Sequence, residues 1–334
     1  MKSTLEAIMG GQSLNADEAA AVMQALATEG MPAAVGGALL AALRTKGESA
    51  EEVRGFATAM RELAVPVTVS AEGPPLVDTC GTGGDGSGSL NLSTAAALVV
   101  AAAGARVVKH GNRSISSRAG SADVLETMGI PIHHDAEAAS SALEALGFVF
   151  LFAPNYHPAM RHIMPIRRAL GVRTVFNVLG PLSNPARPPF QVVGAFSLGA
   201  AETMAHALSG MDIRRAFVVH GAEGWDEATP LGPYHLFDVR PGQVDATVRD
   251  PADAGVPRCT ASDLAGGDAA YNAAALEAML GGATGPHQDA VCLAAGLALE
   301  VCGMATDHRD GIAMARSALT DGRAANLLAQ LRTT

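Results

Sequence analysis

Five glycines fall within the eight positions that run from Gly81 to Gly88. The strand-type run Leu76, Val77 and Asp78 leads into them, and an alanine-rich apolar stretch follows from Ser93. A strand that empties into a flexible loop, with a helix leaving it, is the first half of a βαβ unit. The alternation continues downstream. Residues 106–109 read as strand, 135–146 as helix, 148–152 as strand and 158–170 as helix, with further strands expected at 191–196, 216–220 and 234–239. From residue 269 the chain reads as mostly helical, and 291–301 is apolar on nearly every side and so expected to be buried. This order predicts an α/β fold around a central, mostly parallel sheet. The apolar content is 49% with only 4% aromatic, so alanine, valine and leucine must build the core.

The first 66 residues have a different texture. Asn15 with Glu18, and Ser49 with Glu52, have capping-box spacing. Val22, Met23 and Leu26 form one apolar stripe, Val35, Leu39, Leu40 and Leu43 a second, and Val53, Phe56, Met60 and Leu63 a third. Gly30 and Gly47 end the first two. Three short amphipathic helices bury little surface alone, so they predict a small helical unit docked onto something else.

Charge and cysteine usage narrow the function. The formal net charge of −10 over 334 residues disfavours non-specific nucleic-acid binding, which needs a basic footprint. It leaves room for an anionic small ligand held by a few local donors. Cys80, Cys259, Cys292 and Cys302 show no C-x-x-C spacing and read as free thiols of a reducing cytosol. The N-terminus lacks a basic-then-apolar leader, and the alanine-rich runs are too short to cross a bilayer, so a cytoplasmic protein is expected.

Gly81, Gly83 and Gly86 satisfy G-x-G-x-x-G between a strand and a helix. A dinucleotide site also needs an acid about 20 residues on to hold a ribose hydroxyl. Between Gly86 and Ala122 there is no Asp or Glu, and the next strand ends in Lys109-His110. No Lys-Ser or Lys-Thr follows the glycines, which removes the P-loop reading. What remains is a general anion cradle, with glycine backbone and the unpaired N–H groups of a helix start carrying Asn91, Ser93 and Thr94. A second polar loop, from Lys109 through His110, Gly111, Asn112 and Arg113 to Ser117, leads to a helix entered at Gly120-Ser121-Ala122-Asp123. Cations and hydroxyls beside a strand end suit phosphate.

These segments, in this order and spacing, resemble the anthranilate phosphoribosyltransferase family. The likeness extends through Tyr156-His157-Pro158-Ala159-Met160, through Arg167-Arg168-Ala169-Leu170-Gly171, and through the run from Arg173 to Pro185 that contains Asn177, Gly180 and Pro181. Gly224-Trp225-Asp226-Glu227 resembles the acidic metal motif of that family. The resemblance implies transfer of the 5-phosphoribosyl group from phosphoribosyl pyrophosphate to the amino group of anthranilate, with release of diphosphate, in tryptophan biosynthesis. It implies a small N-terminal helical domain plus a large α/β domain of nucleoside phosphorylase/phosphoribosyltransferase type, usually in a homodimer. The division it implies is 1–68 with 156–186 packed on it, and 72–155 with 187–332.

By the same resemblance, Gly81, Thr82, Gly83, Gly84, Asp85, Asn91, Ser93, Thr94, Lys109 and Ser121 would hold phosphoribosyl pyrophosphate. His110, Asn112, His157, Arg167, Gly180 and Pro181 would receive anthranilate. Ser93, Asp226 and Glu227 would bind Mg2+, and Lys109, Asp226 and Glu227 would carry the catalysis. The chemistry is consistent with those residue types. Diphosphate leaves as the sugar becomes oxocarbenium-like, so the demand is for charge stabilisation on the leaving group. Adjacent carboxylates suit magnesium, and the planar guanidinium of Arg167 matches a planar carboxylate. An aromatic amine is neutral at pH 7, so no strong base is expected.

Other readings find less support. His133 and His134 precede a helix start at Asp135 and read as a capping turn, while His162, His235, His287 and His308 lack partners at ligand spacing. Neither H-E-x-x-H nor G-x-S-x-G occurs. A pyrimidine-nucleoside phosphorylase-like enzyme is one alternative, from which the Lys109–Arg113 loop and Asp226-Glu227 point away. A non-catalytic nucleic-acid-binding paralogue is another, and the net charge opposes it. Three features depart from the family pattern: Trp225 stands where a smaller apolar residue is usual, the stretch Ala228-Thr229-Pro230-Leu231-Gly232-Pro233 is unusual, and Ala294 stands where Asn is frequent.

Overall fold

The structure, a computed structural model, describes residues 1–114 and 118–333. Four helices open it: α1 (Lys2–Met9), α2 (Ala16–Ala27), α3 (Ala33–Lys46) and α4 (Ala50–Glu62). Both capping boxes form, at Asn15 with Glu18 and at Ser49 with Glu52. The sequence stripes predict three of these helices. The eight-residue α1 escapes them because it has no side-chain cap and buries only Ile8.

The remaining chain builds a seven-stranded sheet in the order β3-β2-β1-β4-β5-β6-β7. The strands are β1 (Leu76–Gly81), β2 (Arg106–Gly111), β3 (Phe148–Phe152), β4 (Phe190–Gly194), β5 (Arg215–His220), β6 (Tyr234–Arg240) and β7 (Gln243–Arg249). β1 to β5 are mutually parallel, β6 runs antiparallel to β5, and β7 antiparallel to β6. Sequence pattern missed β7, and the reason is burial: five of its seven residues are exposed, so it has no apolar face to read. Helices α5 (Leu92–Ala102), α6 (Ser121–Thr127), α7 (Ala136–Leu146), α8 (Ala153–Tyr156), α9 (Met160–Leu170), α10 (Phe176–Leu179) and α11 (Leu198–Ser209) connect the strands. The C-terminal part is α12 (Ala269–Leu280), α13 (Pro286–Val301), α14 (His308–Thr320) and α15 (Arg323–Leu331).

Alternation along each strand divides the interior. On β5, Phe217 and Val219 face the core shared with α5, α13, α14 and α15, while Ala216 and Val218 face the core shared with α2, α3, α4, α9 and α11. The N-terminal helices therefore find their missing partner in α9, α10 and one sheet face: Ile163, Ile166, Phe176 and Leu179 bury with Val22, Leu39 and Phe56. β1 sits mid-sheet between β2, which follows it, and β4, which arrives two connections later. Strand order reverses there, and the crevice at the carboxyl ends of two such strands is where α/β sheets bind ligands.

Candidate active site

The glycine loop leaves the end of β1 in that crevice. Gly83, Gly84, Gly86 and Gly88 have φ of 65°, 74°, 78° and 62°, a region that side chains strain to enter. Gly81 and Gly194 serve a different purpose. A Cβ on Gly81 would lie 2.4 Å from Asp226 Oδ2, and one on Gly194 would lie 1.5 Å from the Asp226 carbonyl oxygen. Bare backbone at the tips of β1 and β4 thus lets the acidic loop after β5 settle against the glycine loop. The Gly83 N–H donates to Asp226 Oδ2 at 2.6 Å, and the Asp226 N–H donates to Asp85 Oδ2 at 3.2 Å. Thr82 Oγ1 accepts the Phe196 N–H at 3.1 Å.

Ser93, at the start of α5, lies between the acids and Lys109. Its N–H donates to Glu227 Oε1 at 3.2 Å. The Lys109 ammonium donates to the Thr79 carbonyl oxygen at 2.5 Å and to Ser93 Oγ at 3.4 Å. Lys109 is 2% exposed, so this cation supports the loop from beneath. Burial first, and then the neighbouring carboxylates, hold Asp226 and Glu227 above the usual carboxyl range; Lys109 opposes the rise at Glu227. Asp85, Asp226 and Glu227 thus share a crevice in which Lys109 is the nearest counter-charge to Glu227. Among the described residues no group of three or more His, Cys, Asp or Glu stands at ligating separation. The donor set is instead two adjacent carboxylates and a hydroxyl, which suits Mg2+, an ion commonly held by one or two carboxylates with substrate phosphate and water completing its shell.

The second polar loop closes one flank. Ser121 Oγ donates to the Asn112 carbonyl oxygen at 3.3 Å, and Asn112 Oδ1 accepts the Arg113 N–H at 2.7 Å. Arg113 is committed to Asp123 at 2.9 Å and Glu126 at 2.8 Å. Asn91 Nδ2 reaches the Ala119 carbonyl oxygen at 3.2 Å, and Thr94 is buried behind it. The Ile115–Ser117 part of the loop lies outside the described residues.

At the start of the same loop, His110 meets His157 through their Nε2 atoms at 3.2 Å, and His110 Nδ1 lies 3.3 Å from the Gly180 carbonyl oxygen. Burial pushes His110 down to about 3 and His157 down to about 4, so both rings are neutral at pH 7. Around Gly180 the backbone is tightly held. Gln191 Nε2 donates to the Pro181 carbonyl oxygen at 3.1 Å and Arg61 Nε, from α4, to that of Leu182 at 2.7 Å. Arg167 lies over the Phe176 ring at 5.2 Å, and among the described residues no carboxylate pairs with it.

Sequence reasoning missed several contributors. Asp78, wholly buried, accepts from Asn184 Nδ2 at 2.9 Å and from the His110 N–H at 3.4 Å, which ties β1 to both the histidine and the Gly180 loop. Arg173 stacks on Phe196 at 4.2 Å and its guanidinium donates to the Gly84 carbonyl oxygen, bridging the two flanks. Asp78 and Asn184 carry no local signal, since 106 residues separate them. Of the departures from family pattern, Trp225 is buried in the main core with its carbonyl accepting the Gly221 N–H at 2.8 Å. Ala294 lines a small cavity of about 10 Å³ with Ser93 and Glu227. His133 and His134 do precede a capped helix, with Asp135 accepting the Ala138 N–H at 2.8 Å.

Residues 73–325 match the family described as glycosyl transferase family, a/b domain, and residues 2–64 match its helical bundle domain. The anthranilate phosphoribosyltransferase of Solibacter usitatus is 49% identical over 313 residues, 94% of this chain and 92% of its own. That of Desulforudis audaxviator is 46% identical over 331 residues, 99% of this chain and 95% of its own. The crystal structure of the Thermus thermophilus anthranilate phosphoribosyltransferase superposes with a TM-score of 0.92 at 44% identity, covering 99% of this chain and 98% of that one. With the helical bundle and the α/β domain both matched and close to half of all residues shared along almost the whole length, the chain belongs to the anthranilate phosphoribosyltransferase family.

Proposed function

We propose that this protein transfers the 5-phosphoribosyl group of phosphoribosyl pyrophosphate to the amino group of anthranilate and releases diphosphate, a step of tryptophan biosynthesis. One observation carries the reading: the crevice pairs an anion cradle with carboxylates. Backbone N–H groups and a helix start await an anion, yet Asp226 Oδ2 stands 2.6 Å from the Gly83 nitrogen and Glu227 Oε1 stands 3.2 Å from that of Ser93. An anion alone would be repelled by these acids, whereas a diphosphate that arrives with a divalent cation satisfies both.

Asp226, Glu227 and Ser93 are the residues that would hold Mg2+. When bound, the ion supplies positive charge against the charge that grows on departing diphosphate. The chain contributes the rest. The backbone of Gly81, Thr82, Gly83 and Gly84 with Asp85 approaches the diphosphate closely, and Asn91, Thr94 and Ser121 orient the ribosyl phosphate. Lys109 raises the positive potential beneath Ser93 without needing water contact. The Asp226 N–H held by Asp85 keeps the acidic loop seated on the glycine loop.

On the acceptor flank, Arg167 offers the anthranilate carboxylate a guanidinium that has no carboxylate partner among the described residues. His110 and His157, kept neutral by burial, with Asn112, Gly180 and Pro181, form a wall for the ring. The aromatic amine attacks ribose carbon 1 as neutral NH2 and sheds its proton after the bond forms. A yeast relative solved with 4-fluoroanthranilate shares the fold at a TM-score of 0.85 and 25% identity, which supports an aromatic amino acid as the acceptor class.

The functional units are 1–68 with 156–186, and 72–155 with 187–332, so that the acceptor flank rides largely on the helical unit. The enzyme works as a cytoplasmic homodimer. No helix among the described residues is long and apolar enough to cross a membrane. The test is incubation with phosphoribosyl pyrophosphate, Mg2+ and anthranilate, following the loss of anthranilate fluorescence. Steady loss that requires all components is expected. No turnover, together with phosphorolysis of thymidine or uridine, would overturn the assignment.

A further inference from the structure

Asn272, in the first turn of α12, is buried and far from the glycine loop in sequence. Its amide belongs to a run of hydrogen bonds whose direction is fixed at both ends. The Gly267 backbone N–H donates to Asn272 Oδ1 at 2.7 Å. A backbone N–H can only donate, so the amide oxygen must face Gly267 and Nδ2 must face away. That nitrogen donates to Asn91 Oδ1 at 2.8 Å. Asn91 then points Nδ2 at the Ala119 carbonyl oxygen at 3.2 Å, a group that can only accept. Flipping either amide sets like against like at two contacts.

The segment just ahead of α12 also grips the glycine loop through its backbone. The Leu90 N–H donates to the Leu264 carbonyl oxygen at 3.0 Å, and the Gly266 N–H to that of Gly88 at 2.8 Å. A Cβ on Gly266 would stand 2.5 Å from the Ser89 carbonyl oxygen, so only glycine allows this approach. Residues 264–267 and Asn272 thus anchor the distal half of the loop to the C-terminal helical layer, while Asn91 passes the constraint on to the second polar loop at Ala119.

We propose that Asn272 is a positioning residue for phosphoribosyl transfer. It locks the Asn91 amide so that nitrogen, not oxygen, serves the side where both phosphate-binding loops meet. One Nδ2 hydrogen of Asn91 is taken by Ala119, and the second is left to donate to an oxygen of the phosphoribosyl donor. Reversal of Asn91 would turn a carbonyl-type oxygen toward an anion. This role rests on the donor reading of the glycine loop, and the experiment separates the two.

Wild-type turnover with phosphoribosyl pyrophosphate, Mg2+ and anthranilate is measured first, and its absence removes the donor reading itself. Given that turnover, Asn272→Asp keeps the size of the side chain and an acceptor for Gly267 but loses the donor to Asn91. Its KM and calorimetric Kd for phosphoribosyl pyrophosphate are expected to rise about tenfold. KM for anthranilate stays within about twofold, a split that general loosening of the fold would not produce. In an Asn91→Ala background the same substitution is expected to change the Kd by less than about twofold, because the amide that it orients is gone. If Asn272→Asp does not fold, Asn272→Ser enters the same cycle with the same expectation. An unchanged Kd for phosphoribosyl pyrophosphate, equal rises for both substrates, or full additivity with Asn91→Ala overturns the proposal.

Discussion

Lys109, proposed to stabilise departing diphosphate, lies in the candidate site without touching solvent. Its ammonium, 2% exposed, is divided between the Thr79 carbonyl and Ser93 Oγ and lies close enough to Glu227 to oppose the upward shift of that acid. Lys109→Ala removes the cation from a crevice rich in carboxylates. Turnover is expected to fall by about a hundredfold or more, with stability lower by about 3 kcal/mol. Steady-state kinetics beside a urea melt would show both effects, and wild-type kcat in the variant would remove Lys109 from the transition state. Arg167 makes the opposite case, a guanidinium stacked on Phe176 with no described carboxylate to pair with. Arg167→Ala should raise KM for anthranilate about tenfold while leaving KM for phosphoribosyl pyrophosphate in place. Equal changes in both constants would assign Arg167 to the fold instead of to the acceptor pocket. Residue types and short spacings made Lys109, Asp226 and the glycines legible from sequence. Asp78, Asn184 and Arg173 were not, because their partners are set by strand order and lie at distant positions in the chain.

At the scale of elements, the decisive contacts are between backbone pieces that no side chain separates. The tips of β1 and β4 end in Gly81 and Gly194, and the acidic loop after β5 fills the space that their missing side chains leave. Gly194→Ala would place a Cβ 1.5 Å from the Asp226 carbonyl oxygen, so the acidic loop must move. We expect a loss of about 1–3 kcal/mol from overpacking and a steep rise in the Mg2+ concentration needed for half-maximal rate. Gly199→Ala in α11 is the matched control: its Cβ meets nothing within 4 Å, and helix propensity predicts a gain of about 0.5–1 kcal/mol with unchanged metal response. Similar metal titrations for the two variants would mean that the glycine tips do not seat the acids. Elements with a cap and a one-sided stripe, α2 and α4 above all, were readable in advance. α1 and β7 were not: one lacks a side-chain cap and the other lacks a buried face.

For the whole molecule, the order of strands places the glycine loop and the His110–His157 pair together at the carboxyl ends of the central parallel strands, and burial there fixes protonation as well as position. The same rule applies outside the crevice. His308, at the start of α14, lies buried with Nδ1 3.3 Å from the Tyr234 hydroxyl oxygen, and burial lowers it from the usual 6.5 to about 4. His110 and His157 are lowered in the same way at the active site. A histidine that the native state keeps neutral contributes full stability above pH 6.5. Between pH 6.5 and about 4 the unfolded chain takes up a proton that the folded chain refuses, so stability falls as pH falls through that window. For His308 alone the loss amounts to about 3 kcal/mol. His308→Gln retains a polar side chain at the position but cannot titrate, and it leaves the active site untouched. The stability difference between wild type and His308→Gln, from denaturant melts at several pH values, should be constant above pH 7 and shift by about 3 kcal/mol against wild type by pH 4. A difference that does not change with pH would show that His308 takes up its proton equally in folded and unfolded chains, and that its burial does not oppose the charged form.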